Sequence, residues 1–525
     1  MSKPTKVKEG IAGVMGAGEG GRIQVLAQCH DHTLTLVGMP AKVFYSDPKK
    51  NMEAGLLVSG YYGFDSPAVG VDAYNIEIEA LGGKMVYGEN SMPTIDFRKP
   101  LIKGPEDLKK LKEKKIDFEK DGRFPYILEL NELNIQYGFS TAVFCAPFSM
   151  AVGMCGFAGL IKFMRKKPDF AHELFKYIID DVLLPWLEFQ KNYNGNIMAI
   201  GADAWASVPN LSVEEMMEWV VPYNRYISEK AKKIGMLVTN VSGDYCEERI
   251  EKFDPKILHG SFDVQVASQG SPVIFLGMGR WYEYPLESVR DYTKKFRDKG
   301  ENVNLTAGVN ARLLRDGPAE KIVDNVKRFI DSFARDHDLA LLLANIPADA
   351  PSDHIHAAVA AVHAYGKFPI ADNLDDVEFK MPKMPSFDEW RKTVNKPLAK
   401  TKVRRGLANL MWMQMAPINK NAKFKELYAD KKMAFLYDLT DQRYATLISV
   451  ENGSLEVKHI DKTKENLEDY EVDAAMKCST ELFFDFGLGK ISKIGIVGKM
   501  ITRKLKISGM KKMQELQKIM ALLAE

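Results

Sequence analysis

From about residue 22 to residue 370 the chain alternates between short continuous apolar runs and longer stretches of helical period. The runs include IQVLAQ (23–28), PAVGV (67–71), TAVFCA (141–146), IMAIGA (197–202), MLVTNV (236–241), VNLTAG (303–308) and LALLLANI (339–346). Each is continuous rather than alternating, which predicts strands buried on both faces of a parallel sheet. Between them lie helical periods such as FAHELFKYIIDDVLLPWLEFQ (170–190) and PAEKIVDNVKRFIDSFARD (318–336). Repeated βα units over this length predict a (β/α)8 TIM barrel, with an open doubly wound sheet as the alternative.

The pattern changes near residue 380. KMPKMPSFDEWRKTVNKPLAKTKVRR (380–405) carries prolines and a positive excess and reads as a linker. Beyond it KMAFLYDLT (432–440), YATLISVENGSLEVKHI (444–460) and DAAMKCS (473–479) alternate like antiparallel strands, and Asn452-Gly453 marks a hairpin turn. MKKMQELQKIMALLAE (510–525) reads as an amphipathic helix. The expected fold class is α/β, a TIM barrel followed by a smaller α+β domain. The expected divisions are a flexible segment at 1–21, the barrel at 22–379, the linker at 380–405 and the second domain at 406–525.

Composition narrows the function. The 525 residues are 46% apolar and 27% charged, and 72 Lys and Arg against 70 Asp and Glu leave a formal charge of +2. That balance gives no case for a nucleic-acid partner. Five scattered cysteines without a CxxC pair suit a reducing cytoplasm rather than a disulfide framework or structural zinc. No run of about 18 apolar residues predicts a membrane span.

Several segments carry a resemblance. NIEIEALGGKM (75–85), FRKPLIKGPEDLKKLK (97–112), VFCAPFSMAVGMCG (143–156), LTAGVNARLLRDGPAEKIVDNVKRFI (305–330) and ANIPADAPSDHIHAAVAAV (344–362) resemble, in order, the uroporphyrinogen decarboxylase superfamily. That family also includes corrinoid-linked methyltransferases, and the resemblance implies a (β/α)8 barrel. The second domain resembles sterol carrier protein 2 (SCP2) in MAFLYDLTDQRYATLISVENGSLEV (433–457), STELFFDFGLGKISKIGIVGKM (479–500) and ITRKLKISGMKKMQEL (501–516). This second resemblance implies an apolar tunnel for lipids, with Phe483, Phe484, Phe486 and Leu488 as lining or as core.

Site candidates sit where strands are expected to end, because parallel barrels place their chemistry there. His30, Asp31 and His32 follow the first run. They read as a capping loop, as substrate-binding or acid–base groups, or, with both imidazoles on one strand face, as metal ligands. Asp72 and Tyr74 end the second run. The resemblance implies an essential aspartate near Asp72, offset by one residue. Asp203 and Trp205 end the fourth run. Asn240, Ser242, Asp244 and Tyr245 end the fifth, as substrate contacts or a helix cap. Asn310 and Asn345 follow later runs, and His354 and His356 read as a solvated helix face.

Two departures from the family pattern matter. No arginine lies between Arg22 and Arg98, where the decarboxylases hold propionates. Where the zinc methyltransferases carry ligands, this chain has Asn240, Ser242 and Ala344, so no metal or other cofactor is expected. The reading is a cytoplasmic, decarboxylase-like lyase using His30, Asp72, His32 and Tyr74. Its substrate is a hydrophobic or cyclic small molecule that the second domain delivers or shields. The alternatives are methyl transfer with a corrinoid protein partner and non-catalytic binding of a hydrophobic ligand. A homodimer is left open.

Overall fold

The structure, a computed structural model, describes residues 17–18, 21–277, 279–394, 400–487, 491 and 498–524. Most of the 1–21 segment and Leu488 lie outside the described residues. Seven parallel strands organise the first unit: β1 (Arg22–Ala27), β2 (Thr141–Cys145), β3 (Met198–Ala202), β4 (Leu237–Val241), β5 (Val273–Leu276), β6 (Asn304–Val309) and β7 (Asp338–Leu343). They form two arcs, β1-β7-β6-β5 and β2-β3-β4. The PAVGV run makes no ladder and lies between the arcs in sequence. β5 comes from VIFL, a run too short to stand out beside its neighbours. β7 is buried at every residue, as a strand covered on both faces must be.

The second unit is a five-stranded sheet of β8 (Lys432–Leu439), β9 (Tyr444–Glu451), β10 (Ser454–Asp461), β11 (Ala474–Cys478) and β12 (Lys506–Ser508), in the order β10-β9-β8-β11-β12. The β9–β10 hairpin turns at Asn452 (φ 52°) and Gly453 (φ 67°), with Glu451 opposite Ser454. β11 pairs parallel to β8, not antiparallel as the alternation suggested. Local patterning cannot fix this pairing, because both strands alternate alike whichever way they run.

The second unit packs on the N-terminal ends of the first unit's strands. Its apolar core takes in Ile197, Met198 and Leu237 from the starts of β3 and β4. Arg405 Nη1 donates to Glu132 Oε2 and to the Asn194 carbonyl, each at 3.0 Å. Gln442 Nε2 donates to Gly235 O at 2.6 Å, and Lys191 Nζ to Asp441 O at 2.9 Å. The helix Leu407–Met415, the Met-rich segment, joins both units, with Asn409 Nδ2 donating to Ser140 Oγ at 2.9 Å. The linking segment is strapped down. Tyr61 donates to Pro385 O at 2.9 Å, Phe387 is buried and Thr401 N donates to Gln136 O at 2.8 Å. Among the described residues no single helix is long and apolar enough to cross a membrane.

Candidate active site at the C-terminal strand ends

The opposite ends of the same strands gather a buried acidic cluster. Helix Pro147–Cys155 starts directly after β2, with Pro147 in its first turn. The first-turn amides of a helix lack intrahelical partners and favour an anion. Ser149 uses this position, donating to Asp203 Oδ1 from its amide at 2.9 Å and from Oγ at 2.7 Å. Asp203 directly follows β3 and is 2% exposed, and its Oδ2 is buried without a partner. Burial pushes its pKa up to about 7, outweighing the two Ser149 hydrogen bonds.

Glu77 repeats this arrangement from the helix Ile76–Ala80. Its Oε1 accepts from Cys145 N at 3.1 Å, its Oε2 is buried without a partner, and burial raises its pKa to about 7. The Cys145 thiol ends β2 and is pushed well up by burial and then by Glu77, Asp203 and Asp72. Burial also raises the Tyr74 pKa, and the charges of Cys145, Asp203, Asp72 and Cys246 add to it. Tyr74 therefore stands within electrostatic reach of groups from three other strand ends. Trp205 stacks on Phe157 at 5.5 Å, with the exposed Phe97 edge-on at 6.4 Å, an aromatic rim beside Asp203.

Asp72 is held differently. It is fully buried and accepts from Arg123 Nη2 at 2.6 Å and from Asn75 Nδ2 at 2.7 Å. Arg123 also pairs with Glu79 at 2.5 Å and keeps Nη1 buried without a partner. Burial still raises the Asp72 pKa, although Arg123 pulls it down. Arg123 caps the helix Phe124–Ile135, so a cation does reach this region from beyond the arginine-free stretch.

The opening stretch departs from expectation. His30–Leu36 is a helix, not a strand end. Residues two apart on a helix point to different sides, so His30 and His32 share no face. His32 is buried away from the acids. Its Nδ1 donates to Pro347 O at 3.1 Å, its Nε2 lies 2.7 Å from the Tyr62 hydroxyl, and Ser352 Oγ is 3.0 Å from that hydroxyl. His32 is thus a structural core histidine. His30 is half-buried with Nδ1 lacking a partner, and burial lowers its pKa to about 4. It is neutral at pH 7 rather than charged, and Asp72 is paired with Arg123 instead. Asp31 Oδ1 accepts from Met92 N at 2.9 Å. Tyr45, buried with an unpartnered hydroxyl, feels both Asp31 and Asp72.

The end of β4, the fifth apolar run, is tied to the helix that covers it. Asn240 Nδ2 approaches Asn224 O and Ser228 Oγ at 3.4 Å each, and Ser242 Oγ accepts from Asn224 Nδ2 at 2.8 Å. These partners belong to the covering helix Val221–Lys233, which takes the Asn240 amide nitrogen and the Ser242 hydroxyl, while Asn240 Oδ1 is buried without a partner. Tyr245 is core, packed with Trp281 and Tyr284. Asp244 Oδ1 accepts from Tyr245 N at 2.9 Å, and Cys246 Sγ lies 3.6 Å from its Oδ2. Asn310 caps the helix Ala311–Asp316, accepting from Arg312 N at 2.8 Å. Asn345 takes φ 43° and donates its amide to Gln28 Oε1 at 3.2 Å. His356 is buried against Tyr61 and Tyr62 rather than solvated. Asn240, Ser242 and the donorless Ala344 do not fit a thiol-activating zinc, which needs soft or imidazole ligands. Among the described residues no three His, Cys, Asp or Glu side chains converge to hold a metal ion.

In the second unit Phe484 is core, while Phe483 and Phe486 line an apolar cavity with Met476, Cys478, Leu482 and Leu505. Its volume is roughly 10 Å³, about what one water occupies, and smaller than a lipid needs.

Glu77, Cys145, Ser149 and Arg123 escaped the sequence reading. Glu77 left one signal, a carboxylate set between Ile76 and Ile78. Ser149 and Arg123 left none, because their partners lie 54 and 51 residues away.

A search of the curated proteins finds no match. Among solved structures, a "methyltransferase from Methanosarcina mazei" superposes with a TM-score of 0.50 at 15% identity, over 68% of this chain and 99% of its own. That likeness is one of fold. The sec-alkyl sulfatase PisA1 aligns over 44% of this chain and 30% of its own at 11% identity, and its TM-score of 0.17 carries no argument. The uroporphyrinogen decarboxylase (URO-D) family model matches residues 28–365, from the end of β1 through the helix Ser352–Tyr365. Because that match takes in more than half the chain and the whole acidic cluster, the chain belongs to the uroporphyrinogen decarboxylase family.

Proposed function

We propose that the two arcs are parts of one (β/α)8 barrel whose mouth is a proton-donating active site of decarboxylase type. Asp203 is the acid. The bond between a substrate carbon and its carboxylate breaks, CO2 leaves and the electron pair stays on carbon. The proton on Asp203 Oδ2 then passes to that carbon, and solvent restores it. One observation carries this reading: a fixed, buried carboxyl with a free Oδ2 and a pKa of about 7. Tyr74 and the Trp205 rim bound the substrate, and a hydrophobic or cyclic carboxylic acid suits that lining.

The test begins with native mass spectrometry of ligands retained on purification, followed by CO2 release from cyclic carboxylic acids of that class. Asp203→Asn is expected to lower turnover by about 10²–10⁴, and the rate is expected to fall as pH rises through about 7, where the acid ionises. Unchanged turnover in Asp203→Asn removes the proposal. The likeness to the Methanosarcina methyltransferase favours a second reading, methyl transfer with a corrinoid protein partner. Methyl transfer to added cobalamin, without CO2 release, would put that reading first. The SCP2-like unit is proposed as an accessory that takes a hydrophobic ligand by opening its small cavity. Titration with a fluorescent fatty acid tests this, with binding to the unmodified chain and an altered affinity in Phe483→Ala expected and no binding removing it.

A further inference from the structure

The chain is almost neutral, but its charge is not evenly spread. Lys499, Arg503, Lys504, Lys506, Lys511 and Lys512 fall between Gly498 and Gln514 with no Asp or Glu among them. In a comparable run at 400–405 three of the four cations pair with acids from elsewhere, Lys402 and Arg404 with Glu456 and Arg405 with Glu132. The 499–512 run is different. Of its six cations only Lys512 has a carboxylate partner among the described residues, Asp473 at 3.7 Å.

Apolar groups stand among these charges. The backbone turns tightly here, with Thr502 N donating to Gly498 O at 3.0 Å and Leu505 N to Lys499 O at 3.1 Å. The turn lifts Ile501 to 76% exposure, and Met510 follows the edge strand β12 at 50%. Phe486 lies 36% exposed at the apolar cavity that Lys499 and Leu505 also line. An isoleucine this open, in a segment whose cations mostly lack carboxylate partners among the described residues, matches a boundary between headgroup and acyl chain.

We propose that the surface formed by 499–512 and Phe486 docks peripherally on an anionic lipid bilayer, with Ile501 and Met510 entering the interface and the cations facing acidic headgroups. Charge complementarity selects this partner, because a phosphate or carboxylate headgroup layer supplies the counter-charges the protein withholds. Its strand β12 forms the outer edge of the second unit's sheet.

Co-sedimentation of the full chain with phosphatidylcholine vesicles, with and without phosphatidylserine, at about 0.1 M salt tests the proposal. Binding is expected only with phosphatidylserine and is expected to weaken steeply with added salt. Reversing three charges (Arg503→Glu, Lys504→Glu, Lys506→Glu) is expected to weaken it roughly 100-fold or more, at about a kilocalorie per basic group. Ile501→Ser, which leaves the charge alone, is expected to weaken it several-fold. Lys109→Glu with Lys110→Glu, in a helix of mixed charge, is expected to change nothing. Circular dichroism on each variant confirms that these exposed substitutions leave the fold intact. Equal binding to neutral vesicles overturns the proposal, as does binding indifferent to the triple reversal. So does capture of a duplex oligonucleotide in place of vesicles, which would assign the patch to nucleic acid.

Discussion

At the scale of single residues, Asp203 and Glu77 set stability against function. Each carboxyl has a pKa raised from 3.8 or 4.5 in the free state to about 7 on folding. The native chain therefore holds protons that the unfolded chain releases between about pH 4 and pH 7. Stability is complete below the unfolded pKa and falls as pH rises, by on the order of 3–4 kcal/mol per group above pH 7. Asp203→Asn and Glu77→Gln are each expected to raise the melting temperature at pH 8 relative to the unmodified chain, with little gain at pH 4. An equal shift at both pH values would deny the raised pKa. His32 behaves oppositely. His32→Ala removes two buried hydrogen bonds and leaves the Tyr62 hydroxyl short of a partner, a loss of about 2–4 kcal/mol in denaturant titration. His30→Ala, with no hydrogen bond at Nδ1 to lose, is expected to leave stability nearly unchanged. Asp203 was legible in the sequence because an acid directly after an apolar run lands at a strand's end. The roles of His30 and His32 were not, because the strand stops at Ala27 and the chain is already helical at His30.

Among the elements, largely apolar runs marked six of the seven parallel strands, although only β7 is buried at every residue and the others carry half-buried positions. The second run shows the limit of that signal. PAVGV has the composition of a strand, but ladder bonds depend on neighbours the local sequence does not name. The Asn452-Gly453 turn was legible for a different reason: a two-residue hairpin of this kind needs φ above zero at both positions, which few residues adopt. Gly453 carries a second constraint, because a Cβ there would lie 2.8 Å from Lys425 O. Gly453→Ala is expected to lose at least about 1–2 kcal/mol. The urea midpoint should drop while the slope of the transition stays constant. Gly453→Asn, whose side chain tolerates the left-handed region, should lose less. Equal losses would point to the close approach rather than to the backbone angle.

On the scale of the whole molecule, the arrangement of the two units bears on how the protein works. Cooperation between a carrier domain and a barrel would suggest that one opens into the other. Instead the second unit covers the starts of β3 and β4, whereas Asp203 follows the end of β3, a strand length or roughly 16–20 Å away. Under the proposed function a ligand leaving the second unit would have to travel around the first, so direct hand-over is not built into the arrangement. What the contact does supply is mutual stability, because Ile197 and Met198 complete an apolar core that the second unit does not close alone. The polar fastenings are few enough to test. Arg405 and Gln442 hold the two units through Glu132, Asn194 and Gly235. The full chain is expected to unfold in one calorimetric transition. Arg405→Ala with Gln442→Ala removes a half-exposed ion pair and a buried amide contact, about 2–4 kcal/mol together. That loss should split the unfolding into two transitions, the second unit melting first. Proton-transfer activity at Asp203 should survive the change, since neither residue lies near the mouth. Two transitions in the unmodified chain would show that the units are coupled only by the strap. Lost activity in the double variant, with the barrel transition unmoved, would mean that the second unit reaches the active site by some route other than stability.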